Sequence, residues 1–188
     1  MTGDQTMQSL APGVSEQDLT LLRRSFALAA RGMSTGERPF GAVIVDKDGH
    51  IVAEAYAITH AQKDITCHAE VTAIRTAYAQ RTRDDLAGCT LYSSAEPCAM
   101  CSGAIYWANI RRVVFGLTEP RLRTLRKVAH ATSLQMRCAA VLATGERATD
   151  VVGGVLEDEA IVSHLTFWQL GATTTGAVAT DSARVSPR

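Results

Sequence analysis

Two stretches of this chain, Cys67-His68-Ala69-Glu70 and Glu96-Pro97-Cys98-Ala99-Met100-Cys101, hold the residue types best suited to chemistry. His68, Cys98 and Cys101 are three metal ligands, and Glu70, two positions past the histidine, is a carboxylate left over for proton work. Zinc in a catalytic site takes three protein ligands and keeps a fourth position for water, whose pKa it brings to about 7. A carboxylate that does not bind the metal can then carry protons between that water and a leaving group. A purely structural zinc knot normally uses four protein ligands, and no fourth stands at a suitable spacing.

The elements that must position these groups follow from local pattern. Pro97 suits the first position of a helix, where its missing N–H costs nothing, and Cys98 and Cys101, three apart, then share a face of the opening turns. The positive end of a helix also favours thiolate over thiol. His68 is expected to open another helix that buries Val71, Ile74, Ala77 and Tyr78, with His68 and Glu70 flanking a substrate from different sides. Ser15-Glu16-Gln17-Asp18 reads as a capping box before Leu19, Leu22, Phe26, Ala29 and Ala30, and Gly32 offers a stop, so a first helix is predicted over 16–31. Residues 41–45 and 51–55 flank the turn-forming Asp46-Lys47-Asp48-Gly49 and predict a hairpin. Cys89–Ser93 and Arg112–Gly116 read as strands on either side of the Cys98 helix, which is expected to end near Ala108. Beyond Leu117 the pattern loosens. Arg121, Arg123, Arg126 and Lys127 read as a solvated basic helix face, 133–143 as a helix, Asp150-Val151-Val152 as a short strand, and 156–170 as an amphipathic helix bearing Phe167 and Trp168. This alternation predicts an α/β fold, a three-layer α/β/α sandwich around a central mixed sheet of about five strands. One domain is expected over 15–170, with a loose lead at 1–14 and a disordered tail at 171–188.

The 188 residues suit one domain with a substantial core, and the formal net charge of zero gives no sign of a polyanionic partner. Five cysteines, two of them assigned as ligands, argue against a disulfide framework. Cys67, Cys89 and Cys138 read as small buried hydrophobes. Met1 to Gly13 lacks a charged segment followed by an apolar core, and no run of about 18 apolar residues appears. A cytoplasmic protein without membrane partners is expected.

His-x-Glu followed by Pro-Cys-x-x-Cys is the signature of zinc-dependent nucleobase deaminases, and the chain resembles that cytidine/deoxycytidylate deaminase superfamily. Pro39–Val45, Cys67–Arg75 and Glu96–Ala108 look most like bacterial guanine deaminases, and the resemblance covers residues 15–117 well. It implies a cytidine deaminase-like fold, a homodimer, and hydrolytic release of ammonia from a small aminated base or nucleoside, a guanine-like purine first among them. Carried onto this chain, it implies zinc on His68, Cys98 and Cys101, proton transfer by Glu70, the Ala69 and Cys98 backbone N–H groups steadying the site, and Phe40 and Trp107 lining the ring pocket. Glu96 is expected to brace the ligand loop. In such relatives the second hairpin strand usually ends in an Asn that hydrogen-bonds the substrate; here Ala57 stands in that stretch. The substrate could therefore be another aminated heterocycle, such as cytosine, isocytosine or a triazine. These relatives also cover the active site with C-terminal residues, so Phe167, Trp168 or the 118–130 segment is expected to serve here. The rival readings are a tRNA adenosine deaminase, which the neutral charge disfavours, and a non-catalytic protein stabilised by zinc.

Overall fold

The computed structural model describes residues 12–173, without the side chains of 169–173. In chain order its elements are α1 (Glu16–Ser34), β1 (Gly41–Val45), β2 (Ile51–Tyr56), α2 (Thr59–Gln62), α3 (Ala69–Tyr78), α4 (Arg83–Leu86), β3 (Thr90–Ala95), α5 (Ala99–Trp107), β4 (Arg112–Leu117), α6 (Glu119–Val128), α7 (Cys138–Leu142), β5 (Asp150–Gly153) and α8 (Glu157–Thr173). The sheet order is β2-β1-β3-β4-β5. β1 runs antiparallel to both β2 and β3, and β3, β4 and β5 run parallel. Most of the expected 1–14 lead and 171–188 tail lie outside the described residues. Residues 171–173 still belong to α8, which runs past its expected end.

Alternation along the central strands divides the core. Ala42 and Ile44 of β1 join Leu91 and Val113 under α3, α5 and α7. Val43 and Val45 face the other way, with Tyr92 and Val114, under α1. A third cluster joins Leu122 of α6 to Ala160, Ile161 and Trp168 of α8 at the end of β3 and β4. Each fully buried Leu or Ile among these contributes about 1.5–3 kcal/mol relative to exposure. The result is the mixed three-layer sandwich that the sequence predicts.

Gly32 corrects one expectation. The helix runs through it to Ser34, and a Cβ there would come within 3.0 Å of the Tyr56 ring. The residue is small to admit β2, not to stop the helix. Gly41 serves the same purpose at the start of β1, where a Cβ would lie 2.2 Å from the Ser25 carbonyl oxygen of α1.

The Ser15 cap is present, and Asp18 does more than complete it. Its buried carboxylate accepts from the Ser15 amide at 2.8 Å, Tyr92 Oη at 2.7 Å, and Arg112 Nη1 and Nη2 at 2.7 and 3.1 Å. This ties α1 to β3 and β4. Burial alone would raise the Asp18 pKa, but Arg112, then Ser15 and Tyr92, hold it well below the usual carboxylate range. The unfolded chain therefore binds a proton near pH 4 that the folded chain refuses. The stabilisation is present above that pH and is lost as pH falls toward the folded pKa. Asp18→Asn should lower urea-unfolding stability at pH 7 by about 2–3 kcal/mol and flatten its decline between pH 5 and 3. An unchanged acid limb would exclude Asp18 as its source.

Candidate active site

The topology brings the chemistry to one end of the sheet. Parallel β3 and β4 present their carboxyl ends there, and β1, antiparallel to β3, begins there. β2 finishes beside that start, where the Ala57 amide donates to the Phe40 carbonyl at 3.0 Å. His68 and Cys98 are the N-caps of α3 and α5, both in extended conformation. Pro97 therefore precedes the cap of α5 and is not its first helical residue. Both helices aim their positive ends at one point.

At that point His68 Nδ1 lies 3.7 Å from Cys98 Sγ and 3.5 Å from Cys101 Sγ, and the two sulfurs are 3.6 Å apart. Zinc bonds of about 2.3 Å to sulfur and 2.0 Å to nitrogen, arranged tetrahedrally, place donors about 3.8 Å (sulfur to sulfur) and about 3.5 Å (sulfur to nitrogen) apart. The observed triangle has these edges, so its donors fit the ion without rearrangement. Cys98 is drawn down to about 4, first by the Cys101 thiol and, against its burial, by His68. Cys101, facing that sulfur and enclosed, is pushed up, and Cys98 raises His68. The two thiols thus hold one proton between them, which a bound dication would displace. A second group of possible metal-binding side chains, Asp46, Asp48 and His50, sits in the hairpin turn, away from this site.

Glu70, only 5 % exposed, follows on the first turn of α3. Ser93 Oγ donates to its Oε1 at 3.3 Å. Burial pushes its pKa up, and the negative charge of Cys98 adds to this. His68, Glu70 and Cys98 line a narrow cavity of about 60 Å³ together with Phe40 and Ala57. Ala69 is fully buried at the start of α3. Larger depressions exist, one of about 540 Å³ beside α5, but they lack this donor set.

Trp107 does not meet the expectation that it lines the ring pocket. It is 71 % exposed and belongs to the depression beside α5, with Arg83 and Tyr106. Cys101, Ser102 and Ile105 fix the buried face of α5, and Trp107, six residues past Cys101, falls on another face. His60 lines a neighbouring cavity with Lys63 and Asp64.

The remaining walls come from residues the sequence reading missed or misread. Arg38 and Thr59 supply one side; Glu119, Leu122 and Arg126 of α6 supply another. Arg126 was expected on a solvated basic face but turns inward, its side chain 18 % exposed. Of its companions, Arg121 pairs with Glu157 and Asp158, and Arg123 bonds Gln135. The 118–130 segment thus closes the cavity, with Trp168 behind it. Glu96 accepts from Arg137 Nε at 2.8 and 2.9 Å and from the amides of Cys138 at 2.9 Å and Glu119 at 3.0 Å. Its carboxylate is thereby occupied in joining the ligand loop to α6 and α7.

Three donors that leave a tetrahedral position open, beside an enclosed carboxylate, form the apparatus of a hydrolytic metalloenzyme. The family model of the cytidine and deoxycytidylate deaminase zinc-binding region matches residues 15–117. A probable cytosine deaminase of Schizosaccharomyces pombe is 40 % identical over 159 residues, 84 % of this chain and 96 % of that protein. The guanine deaminase of Bacillus subtilis is 50 % identical over 97 residues, 51 % of this chain and 62 % of that protein. A tRNA:A34 deaminase of known structure superposes with a TM-score of 0.62 at 30 % identity, covering 77 % of this chain and 99 % of that one. The chain belongs to the cytidine and deoxycytidylate deaminase family, and it is a hydrolytic deaminase whose cofactor is zinc.

Proposed function

We propose that the substrate is a small aminated nucleobase or nucleoside, with His68, Cys98 and Cys101 holding the zinc and Glu70 carrying the protons. The observation behind this reading is that Glu70 lines one cavity with His68 and Cys98, two corners of the donor triangle that Cys101 completes from beneath. Zinc, when bound, supplies the Lewis acidity that makes water a nucleophile at neutral pH. Glu70 accepts a proton from the attacking water and returns it to the exocyclic nitrogen. The carbon–oxygen bond forms first, by addition across the ring C=N, and the bond to the exocyclic nitrogen breaks afterwards as the carbonyl forms. One water proton leaves with ammonia and the other ends on the ring nitrogen, with no oxidant or reductant required. Phe40 offers its ring as one wall, and the relatives include guanine and cytosine deaminases beside tRNA adenosine deaminases.

The test is ammonia release by the zinc-replete protein from guanine, guanosine, adenine, adenosine, cytosine, cytidine and isocytosine. Turnover of at least one is expected, and silence across the panel would sink the reading. A tRNA substrate has less support, because Arg121 and Arg123 are engaged within the fold and Arg126 faces the cavity.

A homodimer is part of the same proposal. Met100 and Trp107, seven residues apart on α5, are 38 % and 71 % exposed, and a Cβ at Gly103 between them would meet open space. This exposed, apolar helix face suits a second copy of the chain. Sedimentation should give a dimer for the native protein and a monomer for Trp107→Glu; an unshifted mass would remove α5 from the interface.

A further inference from the structure

The α6 wall of the cavity contains groups whose hydrogen-bonding capacity is poorly used. Glu119 Oε1 is sealed from solvent with the Ser133 hydroxyl near it, and neither atom makes a hydrogen bond of good geometry. Arg126 offers five N–H donors, yet among the described residues it makes no hydrogen bond, and its ion-pair partner Glu119 stands 4.0 Å away. Its guanidinium is held by two rings, 5.5 Å from the Phe40 centroid and 5.7 Å from that of Trp168. His164, packed edge-on to Phe40 at 5.0 Å, is kept neutral, its pKa pushed down to about 3 by burial and then by Arg126. The guanidinium is thus fixed in place without a competing cation behind Phe40.

Buried donors and acceptors left unmatched are costly, and they persist where a ligand completes them. The Glu119 amide is anchored on Glu96 of the ligand loop, and Arg126 lies two turns further along the same helix. Ala57, which also lines the cavity, has no polar arm with which to read the substrate.

Building on the deaminase reading above, we propose that Glu119 and Arg126 select the substrate by reading a lactam edge, a ring N–H beside a ring carbonyl. Glu119 accepts from the N–H and Arg126 donates to the carbonyl oxygen. Guanine and isocytosine present such an edge with the N–H next to the reacting carbon, and cytosine presents it reversed, with the carbonyl nearer, so one fixed pair reads one of the two orders. Cytidine has lost the N–H to its sugar, and adenine and adenosine have no carbonyl. A site built around a buried hydrogen-bonding group strongly rejects an analogue that leaves the group unpaired.

The experiment measures kcat/KM with cytosine, 1-methylcytosine and 4-aminopyrimidine, and with guanine, 1-methylguanine and 2-aminopurine, alongside adenine and adenosine. Zinc content and Tm are recorded for every variant. The native enzyme should prefer the lactam whose order it reads, cytosine or guanine, over both of that base's analogues by at least about 10³-fold. Glu119→Leu should cut lactam turnover by about 10²-fold and collapse the preference over the N-methyl analogue, with partial recovery in Glu119→Gln. Arg126→Lys, which keeps the charge but loses the fork, should collapse the preference over the analogue lacking the carbonyl. A purely structural role would slow all substrates alike and leave these ratios unchanged, which would overturn the pair. Glu70-dependent turnover of adenine or adenosine ahead of every lactam would overturn it too, while leaving the deaminase reading intact. Absence of Glu70-dependent ammonia from any base would remove both.

Discussion

Glu70→Gln is expected to keep its full complement of zinc and to lose about 10²–10⁴-fold in kcat, with KM little changed. The substitution is isosteric, and its amide oxygen can still accept from Ser93 Oγ, which lies 3.3 Å from Glu70 Oε1. The fold around the start of α3 should therefore survive. What disappears is a group able to take and return a proton. A carboxylate only 5 % exposed, with one hydroxyl donor and a thiolate nearby, is poorly placed for stability, since burial and Cys98 both oppose its charge. A bound dication would oppose that upward shift and favour the ionised carboxylate. Steady-state ammonia release with metal content measured on the same samples provides the check. Activity within tenfold of the native enzyme, at equal zinc, would take the proton transfer away from Glu70.

The donor triangle was legible in the sequence because its information is local. The pair spaced three apart in Cys98-Ala99-Met100-Cys101 fixes one face at the start of a helix, and His68 with Glu70 fixes another helix start. The alternating strands were legible for the same reason, and Ala42/Ile44 against Val43/Val45 separates the two faces of β1. Pattern failed where a residue's role depends on a distant neighbour. Gly32 has the composition of a helix stop, and only the approach of Tyr56 from β2 explains why the helix continues through it. Arg126 belongs to a run that reads as a solvated face. Leu122, one turn earlier on the same helix, turns that side toward the core at the ends of β3 and β4, and Arg126 goes with it. Trp107 was misassigned for the opposite reason: its aromatic character suggested a pocket, while the phase set by Cys101 and Ile105 turns it to solvent. Glu119 carried one readable cue, which the sequence reading passed over. It directly follows Thr118, the residue after β4, and the crevice at the carboxyl ends of parallel strands is where α/β sheets bind ligands.

Cys101→Ala should lose zinc and, with it, at least about 10³-fold in activity, and its Tm should fall to that of chelator-treated native protein. Cys101 is fully buried, 3.6 Å from Cys98 Sγ and 3.5 Å from His68 Nδ1, so its removal leaves two donors where a tetrahedral site needs three. The structural consequence is as large as the chemical one, because His68 caps α3 and Cys98 caps α5, and neither has a side-chain hydrogen bond to its own helix. A metal held by His68, Cys98 and Cys101 would tie those two helix starts together. A ligand bound only by the folded state stabilises it by about 4 kcal/mol at a thousand times its Kd, so chelation should lower the native Tm and added zinc should restore it. The variant should show no such response. Hydrogen exchange localises the effect: chelation should speed exchange in the first turns of α3 and α5, while β1 and β3 in the centre of the sheet keep their protection. If Cys101→Ala retained stoichiometric zinc, or if chelation left both Tm and activity unchanged, the triangle of His68, Cys98 and Cys101 would not be the seat of the metal.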